Sequence, residues 1–369
     1  MKKTYLFSIA GLLGVLLFAG VNPKGDTPYG LKSGNPEIKS ITALTFGPAG
    51  VLFIGDSQSA SVFALDVKDA GKEIAARPFD LKNIDVKIAE ALGTIKENIT
   101  ITDMAVNPVS KKLYIGVKAA DGSPVLLTMT AENVIKSVAL KNVDFSAVAL
   151  NNVPAEDAKD ARGRSMRIST ISDIGFSDGK LLVSGISNKE FSSSFRSITF
   201  PFTGKQEDDS SLEMYHASHG RYETTTPIRT FSTATIEGKK YLVASYTCTP
   251  LVLYPMEELK PGAHVKGRTI AEMGNQNTPS DMIWLNENDQ RYLVMANDRR
   301  PAAKVSYAEI VKFQGTLTEK AATTAGVNFV ALPFEKVLQL DKLDGKRAVV
   351  IQRKANGDVD LWTSDGKNM

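Results

Sequence analysis

One pattern of apolar and polar positions recurs six times along the chain. Each copy has a short alternating apolar segment, a turn rich in Gly, Pro, Asn or Asp, and a second apolar segment that ends in small or polar residues. Alternation on both sides of such a turn is typical of a β-hairpin. The six copies begin at Ile41, Ile101, Ile171, Ile228, Ser280 and Lys336.

Further β-rich segments follow these hairpins, for example at 61–67, 124–130 and 195–202. The one clear helical pattern is at 84–92, where apolar residues recur on one face and Gly93 lies at the position of a C-cap. A parallel α/β protein would need a helix after every strand, so that class is excluded.

Six β units of this size must bury both sheet faces and protect their edges, which radial stacking of sheets around a channel achieves. The sequence therefore predicts an all-β protein, a β-propeller of four-stranded antiparallel blades, with six blades favoured over seven. Residues 41–369 form one domain in this interpretation. The last unit has three strands and finishes at 357–363, and the turn-rich segment 22–40 is expected to supply the missing closing strand.

Residues 1–21 have a basic start, Lys2 and Lys3, followed by an apolar run to Val21. This is the pattern of a secretory signal peptide, so we expect a periplasmic or secreted protein. Phe18 occupies a place where cleavage favours a small residue, which leaves an uncleaved N-terminal anchor as the alternative. Membrane contact is expected only in that case.

Composition narrows the function classes. The 44 Lys and Arg residues nearly balance the 41 Asp and Glu residues, so no charge field favours nucleic acid as a partner. The single cysteine, Cys248, excludes an intramolecular disulfide and any site built from several cysteines. The sequence Gly-x-Ser-x-Gly at 175–179 falls in a hairpin turn, whereas a nucleophile elbow requires a strand leading into a helix.

Two resemblances extend this picture. The segment ALTFGPAGVLFIGDSQSASVFALD at 43–66 resembles one blade of the NHL and gluconolactonase-like (SMP-30-type) propellers. The segments at 216–231, 246–255 and 270–284 resemble stretches of an uncharacterised family of secreted bacterial β-propellers, which implies a propeller over nearly the whole mature chain. The gluconolactonase-like enzymes hold a divalent cation in the channel through an acidic residue that begins the first inner strand, and the corresponding place here is near Thr42.

Polar side chains flank the predicted inner strands. In a propeller, residues just before the first strand and just after the second strand of each blade meet around one channel mouth. We therefore predict a ligand site there, whereas the alternative is that each Asp bonds the backbone turn of its own blade. The predicted ligand-binding residues are Asp103, Asp173, Arg229, Asp281, Asn297 and Arg299.

A second candidate site lies in the sequence HASHGRYE before the fourth hairpin. His216 and His219 are three residues apart, and Glu223 and Cys248 are expected to complete a metal site, because imidazole and thiolate bind late transition metals. The alternative is a structural or solvent-facing role for the histidines and a buried, inert thiol.

Three functional classes remain. The first is an exported binding or interaction protein that holds a small polar ligand or another exported protein at the channel mouth. The second is a metal-dependent hydrolase or lactonase of the propeller type. The third is an accessory protein that uses a metal or redox site at His219, Glu223 and Cys248. A divalent metal is the one cofactor suggested, with Ca²⁺ pointing to the second class and Zn²⁺ or copper to the third.

Overall fold

Each of the six predicted hairpins forms the two inner strands of its own antiparallel sheet. The computed structural model describes residues 28–369 apart from 72–73, 205–207 and 366–368. The predicted signal segment, 1–21, lies outside the described residues. The six sheets are four-stranded blades of a six-bladed β-propeller, which confirms the predicted fold class.

The blades are numbered by the position of their inner strand in the chain, and strands are given from the channel outward. Blade 1 contains Ala43–Phe46, Val51–Asp56, Ser61–Asp66, Val143–Ala149 and a short fifth strand, Lys32–Gly34. Blade 2 contains Ile99–Val106, Leu113–Ala119, Pro124–Met129 and Ile135–Val138. Blade 3 contains Asp173–Ser177, Lys180–Ile186, Ser193–Thr199 and Ser210–His216, to which Arg221–Glu223 and the parallel strand His264–Lys266 are added.

The second half of the ring is built in the same way. Blade 4 contains Thr230–Ile236, Lys239–Ser245, Pro250–Pro255, Arg268–Glu272 and the short Ala325–Gly326. Blade 5 contains Pro279–Glu287, Gln290–Asn297, Pro301–Ser306 and Val330–Glu335. Blade 6 contains Val337–Lys342, Ala348–Arg353, Val359–Thr363 and Asp80–Leu81. The helices are Ile84–Ala91 and Tyr307–Lys312, and the 3₁₀ turns are Pro28–Gly30, Pro48–Gly50, Lys96–Asn98 and Arg167–Ser169.

The blades do not follow one another around the ring in the order of the sequence. Their inner strands contact one another in the order blade 2, 1, 3, 4, 5, 6 and back to blade 2. The buried apolar residues agree with this order, because they form six clusters and each cluster lies between two neighbouring blades. Between blades 1 and 3, for example, Phe53 packs against Phe176 and Phe200. Blades 1 and 2 have therefore exchanged places relative to a sequential ring.

The chain path explains both this exchange and the closure of the ring. After the third strand of blade 1 the chain adds Asp80–Leu81 to the outer edge of blade 6, forms the helix Ile84–Ala91 and builds blade 2. It then returns to blade 1, where Val143–Ala149 pairs with Ser61–Asp66. Blade 2 is thus inserted into blade 1, and blade 6 is closed by a strand from the N-terminal third of the chain.

The origin of the closing strand differs from the expectation. Blade 6 does lack an outer strand of its own, but Asp80–Leu81 fills that place rather than any part of 22–40. Lys32–Gly34 instead pairs with Val143–Ala149 at the edge of blade 1. The physical reason is the inserted blade: the chain must pass the free edge of blade 6 to reach blade 2. Asp360 fixes this passage by accepting hydrogen bonds from the Lys82 Nζ and the Asn83 backbone N–H.

Within the part of the chain that the structure describes, no helix is long and apolar enough to cross a membrane.

Candidate functional site

Three aspartates line the central channel where its two cavities meet. Asp103, Asp173 and Asp281 each begin the channel-facing part of an inner strand, and all three line both of the cavities into which the channel is divided. The upper chamber lies where the inner strands begin, and the lower chamber lies at their far ends. We call these three residues the waist aspartates.

The waist aspartates come from alternate blades. Because the ring order is 2, 1, 3, 4, 5, 6, blades 2, 3 and 5 are separated by blades 1, 4 and 6. In sequence each of them follows Ser or Thr, in the tripeptides at 101–103, 171–173 and 279–281. The arrangement therefore approximates a threefold ring of carboxylates.

Each waist aspartate also connects two blades. Asp103 accepts a hydrogen bond of 2.5 Å from the Leu44 backbone N–H of blade 1, and Asp173 accepts one of 2.9 Å from Phe231 of blade 4. Asp281 accepts one of 2.7 Å from Leu340 of blade 6. The backbone-binding role that sequence reasoning kept as the alternative is thus present, although the bond goes to the next blade.

A fourth aspartate, Asp341, continues this series in the lower chamber. It accepts a hydrogen bond of 2.6 Å from the Val106 backbone N–H, which joins blade 6 to blade 2 and closes the ring. Sequence reasoning missed it because it lies late in its inner strand rather than at the start. The only sequence signal for Asp341 was the alternation of that strand, in which every second side chain faces the channel.

Burial and mutual repulsion change the acidity of these groups. Burial raises the pKa of Asp173 to about 7 and that of Asp341 to about 6, against the hydrogen bonds that favour their charged forms. Burial, together with the charges of other aspartates in the channel, raises the pKa of Asp103 and of Asp281 well above the usual range. A cation bound at the waist would lower these pKa values, because it would favour the charged carboxylates.

Asp281 differs from the other three in its hydrogen bonds. Asp103, Asp173 and Asp341 each use one oxygen for a neighbouring blade and the other for the next backbone N–H of their own strand. Among the described residues, Asp281 accepts only the bond from Leu340, on Oδ2. Its Oδ1 is left to interact with a proton or a ligand.

The upper chamber has a volume of about 530 Å³ and a mainly polar wall. Arg229 lies at its mouth, where burial lowers the pKa of the guanidinium while the charges of Asp298 and Asp173 oppose that effect. No side-chain hydrogen bond of Arg229 to another described residue is present. The remaining polar groups of the wall are Thr42, Thr102, Ser169, Ser172, Thr278, Ser280 and Gln339.

The lower chamber is smaller, at about 370 Å³, and Phe231 and Trp284 are among the residues that line it. Arg291 lies over the ring of Trp284, with its guanidinium carbon 4.3 Å from the ring centroid, so its charge is engaged in a cation–π contact. The wall of this chamber is also polar, and Thr45, Ser232, Thr233 and Asp341 are among the residues that line it.

The structure separates two of the predicted residues from this cavity. Asn297 is buried and uses its amide within the protein, accepting a hydrogen bond from Asn277 and donating one to the Pro301 carbonyl. Arg299 is exposed, and its nearest acidic partner is Asp298 at 3.7 Å. Asn297 ends the second strand of blade 5 and Arg299 follows that strand, but neither is among the residues that line the two chambers.

The predicted metal residues form a second cluster on the same face as the upper chamber. Ligand atoms of His216, His219 and Cys248 all lie within 4.8 Å of one another. Glu223 contacts both histidines through their Nδ1 atoms, at 3.0 Å and 2.6 Å. Sequence reasoning missed Glu272, whose pKa burial raises to about 7 and which accepts a hydrogen bond from the backbone N–H of Ser218.

Comparisons with known proteins identify neither a family nor an activity. No family model matches the chain, and no curated protein matches it. Among solved structures, it is similar to a PQQ-bound aldose sugar dehydrogenase from Streptomyces coelicolor, with 11% identity over 90% of this chain and 97% of that chain and a TM-score of 0.35. It is also similar to the Cps50 (Swd1) β-propeller domain from Myceliophteria thermophila, with 10% identity over 88% of this chain and 84% of that chain and a TM-score of 0.36. A putative oxidoreductase (glucose dehydrogenase) from Thermus thermophilus shows 10% identity over 91% of this chain and 100% of that chain, with a TM-score of 0.34. At these values the similarities carry no argument about activity.

Proposed function

We propose that this β-propeller is a binding protein whose upper chamber holds a small polar ligand with a cationic group. The observation that supports it is the convergence of three aspartates on the floor of one polar cavity. Cavities of this volume commonly bind small molecules. A cationic group placed there would favour the charged carboxylates against the burial and repulsion that raise their pKa values, so its binding energy has a physical source.

Arg229 adds a second requirement at the mouth of the same chamber. Its guanidinium presents N–H donors suited to a carboxylate or to another oxygen acceptor. A ligand with an ammonium group at one end and an acidic or hydroxyl group at the other would satisfy both ends of the chamber. Amino acids and amino alcohols are molecules of this kind.

A metal-dependent hydrolase or lactonase is the second candidate. The observation that favours it is the carboxylate ring itself, because oxygen ligands suit Ca²⁺. The Oδ1 of Asp281 would be the first ligand to engage, since it has no other bond among the described residues. This candidate requires Ca²⁺ to bind where the first candidate requires an amine.

The place of action that we propose is outside the cytoplasm, in the periplasm or the medium. The support is the basic and apolar pattern of residues 1–21. The partner would then be a small polar solute or another exported protein, with no role for nucleic acid.

The test is isothermal titration calorimetry of the mature protein with amino acids, amino alcohols, aliphatic diamines and, separately, Ca²⁺. The Asp281→Asn variant keeps an oxygen for the Leu340 N–H and removes the charge, so it should fold and lose binding. The control is Asp289→Asn, which removes an exposed charge from a hairpin turn. Binding should also release protons, which appears as a heat that depends on the ionisation enthalpy of the buffer.

The outcomes separate the candidates. Binding of an amine that Asp281→Asn abolishes and Asp289→Asn preserves supports the binding protein. Binding of Ca²⁺ that Asp281→Asn abolishes and Asp289→Asn preserves supports the hydrolase. Binding that is equal in both variants, or absent for every probe, contradicts the assignment of the upper chamber.

A further inference from the structure

A hairpin leaves blade 3 and carries two histidines to blade 4. Only Ser210 and Ser211 of the strand Ser210–His216 pair with the third strand of blade 3. Its last three residues, 214–216, pair with Arg221–Glu223. The hairpin lies beside the outer strand of blade 4, where the Thr269 hydroxyl donates to the Tyr215 carbonyl at 2.7 Å. This crossing places the turn between the two strands of the hairpin over blade 4.

The turn brings His216 and His219 together, with ring centroids 3.9 Å apart. Cys248 meets them from the loop that follows the second strand of blade 4. One ligand atom from each of the three residues lies within 4.8 Å of the others, so small side-chain movements would bring all three onto a single metal ion. Three elements distant in the sequence thus place three soft or borderline donors at one point.

Glu223 fixes which nitrogen of each histidine is available. Its two carboxylate oxygens lie 3.0 Å from Nδ1 of His216 and 2.6 Å from Nδ1 of His219. A carboxylate can only accept, so both Nδ1 atoms carry protons, and the neutral form of each ring has its lone pair on Nε2. Although burial acts to raise the pKa of Glu223, the hydrogen bonds from the two histidines hold it well below its usual range. Carboxylates orient metal-binding histidines in this way.

The Nε2 of His216 is an unsatisfied group. The side chain is 1% exposed, and Nε2 has no hydrogen-bond partner among the described residues. A buried polar atom without a partner is costly, and native structures rarely keep one without a reason. A metal ion accepting its lone pair would remove this cost.

The backbone at Cys248 is held in place by its neighbours. Cys248 and Thr249 both have positive φ values, +68° and +56°. The Cys248 N–H donates to the Asn277 carbonyl at 2.7 Å, and the Thr249 hydroxyl donates to the Gly274 carbonyl at 2.7 Å. The segment leading into blade 5 thereby fixes the loop from which the thiol reaches the histidines.

We propose that His216, His219 and Cys248 bind one late first-row transition metal ion, zinc or copper, through two imidazole Nε2 atoms and the thiolate. The thiol loses its proton to solvent when the metal binds, so the site gains one metal–sulfur and two metal–nitrogen bonds. Three protein ligands leave a fourth position open for water or a ligand. The nitrogen and sulfur donors disfavour Ca²⁺ and Mg²⁺, which separates this site from the carboxylate ring of the channel.

The surroundings favour a cation without adding another ligand. Glu223 lies against both imidazole rings. Glu272 has one oxygen on the Ser218 N–H and the other buried without a partner among the described residues. Ser218 lies between the two histidines in sequence, so Glu272 is anchored to the same turn. Glu223 is a positioning residue here, because it acts through the two rings.

The test uses Co²⁺ as a spectroscopic probe on the full mature chain freed of metal with a chelator. Co²⁺ should bind in a 1:1 ratio and produce a thiolate-to-cobalt charge-transfer band. Cys248→Ser removes the sulfur and should lose that band. His219→Ala removes a half-exposed ligand and should lower the affinity for Co²⁺, and both variants should keep the circular dichroism of the wild type. The matched control is His264→Gln, because the third histidine bonds to Ser211 and Glu213 in blade 3, away from the cluster.

A further variant tests the positioning role. Glu223→Gln has one oxygen where two protonated nitrogens need an acceptor, so one ring should lose its orientation. We expect the affinity for Co²⁺ to fall by about 10- to 100-fold while the charge-transfer band persists at saturation. Loss of thermal stability with unchanged affinity would indicate a purely structural role for Glu223.

Metal analysis of protein purified without chelators distinguishes the ions. Zinc or copper in a 1:1 ratio that Cys248→Ser removes supports the site and identifies its metal. Cobalt that binds Cys248→Ser as it binds the wild type, an equal loss of binding in His264→Gln, or no binding at all would overturn the proposal.

Discussion

Neutralising Asp173 should flatten the dependence of the protein's stability on pH. Burial raises the pKa of this carboxyl from 3.8 to about 7, so between these values the folded protein keeps a proton that the unfolded chain has released. The free energy of unfolding therefore falls as the pH rises from about 4 to about 7. At 1.36 kcal/mol per pKa unit, the titration of Asp173 lowers the free energy of unfolding by about 4 kcal/mol over this whole range.

The Asp173→Asn variant removes this titration but also changes a hydrogen bond. Both oxygens of Asp173 accept backbone N–H groups, from Ile174 and Phe231, and Asn has only one oxygen. That loss costs about 1–3 kcal/mol at every pH. The informative quantity is therefore the change in unfolding free energy between pH 5 and pH 8 within each protein, because the constant loss cancels.

We expect the wild type to lose roughly 3 kcal/mol more than Asp173→Asn between pH 5 and pH 8. The charge of Asp173 also raises the pKa of Asp103 and of Asp281, so its removal acts on them in the same direction. Urea unfolding at several pH values, followed by tryptophan fluorescence, measures the difference. Asp289→Asn is the matched control, because that residue is exposed in a turn and has a φ of +60°, which Asn tolerates. A pH dependence of Asp173→Asn within about 0.5 kcal/mol of the wild type would refute the reasoning.

Three further predictions concern export, closure and packing. Cell fractionation with N-terminal sequencing should find the protein outside the cytoplasm, and a cytoplasmic protein that still begins at Met1 would contradict export. Removing 357–369 deletes the strand Val359–Thr363, which also leaves Asp80–Leu81 without its pairing strand. Urea unfolding of the truncated chain should therefore lose its cooperative transition, and a cooperatively folded fragment would argue against closure of the ring. Phe53→Ala should lower the free energy of unfolding by about 3–5 kcal/mol, because this fully buried ring packs between blades 1 and 3; a loss below about 1 kcal/mol in urea titrations would show that this interface tolerates the cavity.

The sequence was sufficient for the architecture because each blade carries its own local signal. Alternating apolar residues on both sides of a turn specify a hairpin without reference to the rest of the chain, and six such hairpins predict six blades. The ring order has no such signal. Blade 2 is inserted between Ser61–Asp66 and Val143–Ala149, and only long-range pairing decides which edge each of these segments joins. The closing strand Asp80–Leu81 is two residues long, too short for any periodicity.

The same limit explains which site residues were predictable. The waist aspartates could be placed on one face because a residue that begins an inner strand must lie at the channel mouth. Their alternation around the ring could not be foreseen, since a sequential order would put blades 2 and 3 side by side. The prediction that Asn297 lines the channel mouth was wrong. The end of a strand indicates on which face of the molecule a residue lies, but not that its side chain bonds to a partner such as Asn277.

The two candidate sites lie on one face but share no ligand group, which leads to a last prediction about their coupling. The channel site depends on charge among carboxylates, whereas the second site depends on imidazole and thiolate donors. The residue nearest to linking them is Asn277. Its carbonyl accepts a hydrogen bond from the Cys248 N–H, but its side chain donates to Asn297 and does not line the channel. Sites without a shared partner or a movable element between them should bind independently. Asp281→Asn should therefore leave the Co²⁺ affinity unchanged, and Cys248→Ser should leave binding in the upper chamber unchanged. A change of more than about fivefold in either titration would show that the loop at Cys248 transmits the state of one site to the other.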